Sequence, residues 1–350
     1  MLHSAVIPPK TDPTSLFEVF RGNHATELLT VAVTHLRVFA ALACGPLSAD
    51  ELRAMIGVAE RPYLVLTTAL KAMGLLKEDT QGKVGMTDLA IEHLTPGAEF
   101  DVSAYIGLAA ESPGVLEMVE RMKFNTPAGT TDDGPGAAFI FREGVESPME
   151  REASARSLTL ALAGRARNVA PVLAAKVPLD GVHRLLDIGG GTGIYSIAWL
   201  QKHPELRATV WDRPEVLKVA REFAEEFGVS ERLETIPGDM FVDPVPTGFD
   251  VMLLSNILHD WDVPECRVLV GRCASALPSG GRLLIHDVFL TDTLDGPLAV
   301  ALYSAALFRL TEGRAYSARE YRGWLHEAGL MAGAVVPTLV HCGALAGVKL

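Results

Sequence analysis

Between positions 187 and 287 the chain places, in order, a glycine-rich turn, two isolated carboxylates, and a histidine followed by a further carboxylate. The turn is Leu185-Leu186-Asp187-Ile188-Gly189-Gly190-Gly191-Thr192-Gly193, an apolar run that enters glycines and then a helical stretch from about Ile194. Glycine suits a point where backbone must reverse sharply and approach a ligand closely. Alone this turn does not choose a ligand, since a nicotinamide dinucleotide fold uses a similar one. Asp212 ends the next apolar run, where a carboxylate can accept from both hydroxyls of a ribose. Gly238-Asp239-Met240-Phe241 follows the third run. There Asp239 can accept from an adenine amino group while Met240 and Phe241 flank the ring. The spacing is GGGTG rather than GxGxxG, and no Lys or Arg lies between Asp187 and Leu200 to meet a phosphate. A ligand with ribose and adenine but no phosphate suits these residues best.

His259 lies in Ser255-Asn256-Ile257-Leu258-His259-Asp260-Trp261-Asp262, just beyond the fourth apolar run. An imidazole with pKa near ~6.5 is the natural general base at neutral pH. Asp260 is read as structural, because adjacent residues on a helix point apart. Asp287 ends the fifth run. His286 would join His259, Asp260 and Asp287 in a potential metal set. Strand alternation sends His286 and Asp287 to opposite faces, so no metal is expected.

These residues need a scaffold that brings the ends of several strands together. From Arg184 onward, short apolar runs alternate with helical stretches: RLLDI, RATVW, RLETI, FDVMLL, RLLIHD, then AVVPTL and ALAGVKL. That alternation predicts an α/β fold with a doubly wound, Rossmann-like parallel sheet over 179–350, its ligand at the carboxyl ends of the strands. Residues 1–100 read as mostly helical. Phe17–Leu42 carries an apolar helical stripe, Ser48 and Glu51 have capping-box spacing, a break is expected near Gly57, and a second helix runs to Leu75. A hairpin turning at Gln81-Gly82 and a short helix complete the outline of a winged helix-turn-helix. Its second helix offers only Arg61 and Lys71 as basic residues, too few to read a groove. A module that pairs two subunits of a homodimer fits better. Residues 101–178 read as a helical linker contributing to an acceptor pocket. Within it, 124–148 is expected to be irregular, and a helix from about Met149 to Val177 should kink or break at Pro171.

Composition narrows the function classes. The 350 residues carry 43 acidic against 31 basic side chains, a formal net charge of −12, which argues against a nucleic-acid partner. No apolar run approaches the ~20 residues needed to cross a bilayer, and the N-terminus lacks the features of a secretory signal. A cytoplasmic protein without a membrane partner is expected. Cys44, Cys266, Cys273 and Cys342 show no CxxC spacing and read as reduced thiols, with Cys266 and Cys273 two turns apart on one helix.

In their order and spacing, LLDIGGGTG, WDRPEV, GDMF and LHDW resemble the small-molecule O-methyltransferases of plant and bacterial secondary metabolism, the caffeate, acetylserotonin and polyketide type. The resemblance covers nearly the whole chain and implies S-adenosyl-L-methionine as cofactor, an N-terminal winged-helix-like dimerisation domain, and a small-molecule acceptor methylated on a hydroxyl. It implies cofactor contacts from Asp187, Gly189, Gly191, Asp212, Asp239, Met240 and Phe241. Ser255 stands where many members carry a lysine that reaches the cofactor. His259 matches the family's catalytic base and Asp287 the first of two acidic residues that orient it; the second acidic position is Ala315 here. That loss keeps open an altered chemistry on the same fold, whether C-methylation, hydroxylation or cyclisation. Apolar candidates for the acceptor pocket are Phe139, Phe141, Met149, Trp261, Tyr303, Leu307 and Phe308, and Arg309 could meet an acceptor carboxylate or form a salt bridge.

Overall fold

A computed structural model of the chain describes residues 3–125 and 152–350. The chain divides into two compact units, one of Met1–Phe17, Phe139–Phe289 and Ala318–Leu350, the other of Glu18–Ala138 and Leu290–Ser317. The irregular connection expected at 124–148 falls mostly outside the described residues, as do Phe139, Phe141 and Met149.

The first unit is built on a sheet whose strands are β3 (Arg184–Ile188), β4 (Arg207–Asp212), β5 (Leu233–Pro237), β6 (Val251–Ser255), β7 (Arg282–Leu290), β9 (Leu330–Pro337) and β10 (Cys342–Lys349). Two short strands, β1 (Leu76–Glu78) and β2 (Val84–Met86), and the two-residue β8 (Tyr316–Ser317) precede or interrupt this series in the chain. The sheet order is β5-β4-β3-β6-β7-β10-β9. Pairs from β5 through β7 are parallel, while β10 is antiparallel to both β7 and β9. All seven apolar runs read from the sequence are strands of this sheet. The central strands are near-continuous in Val, Ile and Leu because both faces are covered, and Leu185, Leu186, Val251, Met252, Leu253 and Leu254 are fully buried. The order reverses beside β3, so the turns after β3 and β6 open at one crevice.

Helix Glu152–Lys176 packs on helices Ile194–Lys202 and Pro214–Glu226. Of the kink or break expected at Pro171, a break does not occur: the helix continues through the proline. Packing outweighs the lost backbone donor here: Val169, Ala170, Leu173 and Ala174 around the proline are all buried. Cys266 and Cys273 share helix Val263–Ala276, and all four cysteines are free thiols.

In the second unit the Ser48 capping box forms in full, with Ser48 Oγ accepting from the Glu51 amide and the Glu51 carboxylate accepting from the Ser48 amide at 2.8 Å. Gly57 ends that helix with φ 69°. Helix Glu60–Ala72 and the β1–β2 hairpin, turning at Gly82 (φ 77°), complete the winged outline. The apolar stripe of Phe17–Leu42 is carried by several short helical pieces. Helices Thr14–Arg21 and Asn23–Thr30 pass into a π-turn at Val31–His35, then Val38–Ala41 after Arg37 at φ 52°. Thr30, Val31, Val33 and Thr34 crowd the backbone with β-branches, and the Leu36 amide reaches back five residues to the Val31 carbonyl.

The two basic residues of the winged helix are committed internally. Arg61 is buried; it donates to Asn125 Oδ1 (2.9 Å) and to the carbonyls of Asn125, Thr311 and Gly313 (3.2, 3.1 and 3.2 Å), with its guanidinium 4.8 Å from the Phe308 ring centroid. Lys71 donates to Glu78 (2.6 Å). Neither can meet a phosphate without breaking these contacts. No helix among the described residues is long and apolar enough to cross a membrane. Arg61→Ala should lower stability by about 2–5 kcal/mol, because buried carbonyls then lose their donors. Calorimetric unfolding checks this; an unchanged midpoint would mean that water replaces the guanidinium.

Candidate active site

The glycine turn forms at the end of β3. Gly189, Gly191 and Gly193 have φ of 64°, 59° and 68°, a region where a side chain is strained. Space is short as well. A Cβ on Gly189 would lie 2.5 Å from Ile257 Cδ1, and one on Gly190 would lie 2.6 Å from the carboxyl carbon of Asp187. The Gly189 amide donates to the Trp211 carbonyl (2.8 Å), tying the turn to β4.

Beneath the turn, Asp187 is fully buried. Its Oδ2 accepts from Ser196 Oγ (2.7 Å), and its Oδ1 has no hydrogen-bond partner among the described residues. Burial lifts its pKa to about 7 against the pull of the Ser196 hydroxyl, with repulsion from Asp212 adding to the rise. Asp212, at the end of β4, accepts from the Gly191 amide at Oδ2 (2.9 Å) and from the Arg213 amide at Oδ1 (2.7 Å). Burial raises its pKa and these two donors oppose the rise. Each oxygen keeps acceptor capacity for a further donor. Asp239 accepts from the Phe241 amide at Oδ1 and pairs with the Arg213 guanidinium at Oδ2, both at 2.8 Å. Phe241 lies edge-on to Trp261, with centroids 4.5 Å apart. Met240 sits between Asp239 and Phe241 in the chain, half-buried.

Ser255 is engaged elsewhere than its position in the motif suggests. Its hydroxyl bonds to His286 Nδ1 (2.8 Å) and accepts from Asn256 Nδ2 (3.1 Å). His286 also contacts Thr338 Oγ1 (3.2 Å) and meets the edge of Tyr195 at 5.1 Å. Burial, helped by the Arg165 cation, pushes the His286 pKa down to about 3, so this ring stays neutral.

On the opposite face of β7, Asp287 is 1% exposed and His259 3%. Their Nδ1–Oδ1 separation is 2.5 Å. Burial pushes the Asp287 carboxyl up, but the positive field and hydrogen bond of His259, with the Val288 amide (2.8 Å), hold it below the usual carboxylate range. An ionised carboxylate only accepts, so Nδ1 carries a proton, and it is in the neutral ring that Nε2 keeps its lone pair. Burial of the ring opposes the imidazolium, yet Asp287 and Asp260 outweigh it and raise the His259 pKa. Asp260 Oδ1 is 3.5 Å from His259 Nε2. Although adjacent in the chain, the two side chains do meet, because a 3-10 turn at Leu258–Asp260 replaces an α-helix there. Burial lifts Asp260 to about 6, against the attraction of His259.

Among the described residues no group of three or more His, Cys, Asp or Glu side chains is arranged to hold a metal ion. His286 and Asp287 serve opposite faces. Two contacts escaped the sequence reading: Arg213, which pairs with Asp239, and Tyr321, whose hydroxyl donates to Asp287 Oδ2 (3.1 Å). Arg213 directly follows Asp212, which was a signal; Tyr321 is 34 positions from its partner, and nothing local announces it. In the second unit, Leu307 and Phe308 are core residues and Tyr303 carries the Arg21 guanidinium 3.7 Å from its centroid. Arg309 pairs with Glu117 and Glu27.

The turn, with its excluded Cβ positions, its unpartnered buried carboxylate oxygen and its two carboxylates with acceptor capacity, fits a ligand that presents hydroxyls and an amino group. This is the S-adenosylmethionine-binding class of α/β fold. The chain belongs to the O-methyltransferase family, whose domain profile matches residues 121–331, and is an S-adenosylmethionine-dependent O-methyltransferase. It is 37% identical to the 3-hydroxy-5-methyl-1-naphthoate 3-O-methyltransferase of Streptomyces sahachiroi, over 93% of this chain and 92% of that one. The L-tyrosine C(3)-methyltransferase of Streptomyces lavendulae is 27% identical over 91% of this chain and 87% of its own. Among solved structures, an O-methyltransferase family 2 protein from Planctomyces limnophilus, in complex with apigenin, superposes with TM-score 0.90 at 48% identity, covering 100% of this chain and 99% of that one.

Asp187 has a testable linkage. Its folded pKa of about 7 exceeds the ordinary 3.8, so between those pH values the native state binds more protons than the unfolded one. Stability from this group is therefore lost as pH rises through that window. Asp187→Asn cannot ionise and should remove the loss, at most ~4 kcal/mol. Denaturant titrations of both proteins at pH 4.5 and 8 should show the variant gaining on the parent at the higher pH. Parallel curves would mean that Asp187 is ionised throughout.

Proposed function

We propose that the chain methylates a phenolic or enolic hydroxyl of a small aromatic or polyketide-like molecule, with His259 as general base. The buried, short His259–Asp287 contact carries this reading. When bound, S-adenosylmethionine supplies a sulfonium-activated methyl group. Asp187, Gly189, Gly191, Asp212, Asp239, Met240 and Phe241 would hold it, with Ser255 at the rim through its hydroxyl. A phenol of pKa near ~10 keeps its proton at neutral pH. His259 Nε2 takes that proton as the oxygen attacks, and Asp287 keeps Nδ1–H in place and stabilises the imidazolium that results. The 3-hydroxy-5-methyl-1-naphthoate acted on by the 37% identical relative has a hydroxyl in its name.

The same reading assigns 1–100 as a winged-helix-like dimerisation domain, 101–178 as a helical linker contributing to acceptor binding, and 179–350 as the cofactor domain. The proposed homodimer is supported by large apolar side chains left exposed on the second unit, among them Phe20 (79%), Leu108 (82%) and Tyr105 (78%). A cytoplasmic location accords with four reduced thiols. A second reading, C-methylation or another altered chemistry, is favoured by Ala315 and by the relative that methylates tyrosine carbon. Product mass and methyl-deuterium label separate the two.

His259→Ala should lower turnover at least ~10²-fold with S-adenosylhomocysteine binding retained by calorimetry. The base must be neutral to work, and its pKa is raised. Activity should therefore fall on the acid side of a limb lying above ~6.5. Near-parental turnover by His259→Ala would leave positioning of the two substrates as the whole mechanism.

A further inference from the structure

Asp287 is held from both ends. Its Oδ1 accepts from His259 Nδ1 and the Val288 amide, and its Oδ2 accepts from the Tyr321 hydroxyl at 3.1 Å. Tyr321 is fully buried on helix Ala318–Glu327. Its ring meets Phe289 edge-on at 5.4 Å and Trp324 edge-on at 5.3 Å. Those two rings pack against the phenol that carries the hydroxyl bonded to Oδ2.

Resting on the assignment of His259 as base, we propose that Tyr321 is a positioning residue of the methyl-transfer reaction, its hydroxyl fixing the Asp287 carboxylate plane and setting the basicity of His259. A carboxylate bonded at one oxygen can rotate about its Cβ–Cγ bond. Donors on both oxygens lock it, and the imidazole bonded to Oδ1 inherits that orientation. Tyr321 also draws negative charge toward Oδ2. Less charge then remains on Oδ1 to stabilise the imidazolium, so the hydroxyl tunes His259 toward neutrality at working pH. The other charged or titratable groups facing the pair are Asp260 on the same 3-10 turn and Arg165 on helix Glu152–Lys176. Cys266, on helix Val263–Ala276, bonds to the Leu258 carbonyl behind the turn. None of these touches Oδ2 at hydrogen-bonding distance in the described contacts, which leaves that oxygen's charge under the control of the phenol.

Two substitutions at one position push in opposite directions with almost no change in shape. Tyr321→Phe removes the donor and should raise the His259 pKa by about half a unit. Replacement of Tyr321 by 3,5-difluorotyrosine, whose phenol is more acidic and donates more strongly, should lower it. Histidine-labelled NMR titration of the cofactor-free protein reads this directly. The acid limb of the pH–rate profile should move by the same amounts and signs. Turnover of Tyr321→Phe should fall roughly 10-fold, with S-adenosylhomocysteine affinity within 2-fold of the parent. A His259 titration that stays put in both proteins, or that moves the same way in both, would overturn the proposal and leave Tyr321 as core packing. Should Tyr321→Phe fail to fold, the fluorinated protein alone decides it. The base assignment fails separately, through full turnover in His259→Ala.

Discussion

A carboxylate removed from water must find donors or give up its charge, and the site is organised around that requirement at Asp287. Three donors reach it: an imidazole from the turn after β6, a backbone amide from its own strand, and a phenol from helix Ala318–Glu327. Each comes from a different part of the first unit, so the sheet order and the seating of that helix are fixed together. Asp187 makes the contrast within the same sheet. It is equally buried but has one hydroxyl donor and an unpartnered oxygen, and its pKa moves up where that of Asp287 moves down. Residue type and depth are the same. The number and charge of the partners decide the sign.

β7 acts as a partition between two electrostatic regimes. His286 points to one side, into Ser255, Thr338 and Tyr195, a neutral hydrogen-bonded set in which the ring stays uncharged. One residue later the chain serves the other side, where an ionised carboxylate faces a ring whose pKa is raised. Strand alternation puts His286 and Asp287 on opposite faces, so the imidazole on β7 and the one bonded to Asp287 have opposite protonation tendencies. Arg165 adds a positive field felt on both sides. It pushes His286 further from protonation and partly offsets what Asp287 and Asp260 do for His259.

What could be read from the sequence is what is written locally. The seven strand runs, the glycine turn, the Ser48 capping box, the hairpin at Gly82 and the opposite facing of His286 and Asp287 depend on neighbours a few residues away. That the helix runs on through Pro171 is not legible locally, because the local rule, a lost donor and a ring clash, gives way to packing against two helices. The π-turn inside the Phe17–Leu42 stripe is not legible either, since a β-branched cluster reads as apolar surface as readily as backbone crowding. Asp260 was set aside on helical geometry, and the 3-10 turn changes that geometry. Tyr321, Arg61 and Arg213 belong to a different class. Their roles arise from partners brought together by the fold: Arg61 closes on carbonyls some 250 positions away, and no spacing rule reaches that far.

With His259 as the proposed base, the His259–Asp287 pair would govern how a proton leaves, and that alone does not fix which acceptor atom receives the methyl group. Deprotonating a phenol raises electron density at its oxygen and also at the ring carbons ortho and para to it. A buried His–Asp pair would therefore assist transfer to either atom. Two relatives named above act, by name, on a naphthoate hydroxyl and on tyrosine C3. The choice must then lie in how the ring is presented, an orientation term worth many kilocalories when reacting atoms are held in line. Side chains that contact the acceptor, rather than those that hold its proton, are where specificity within this family has to be written.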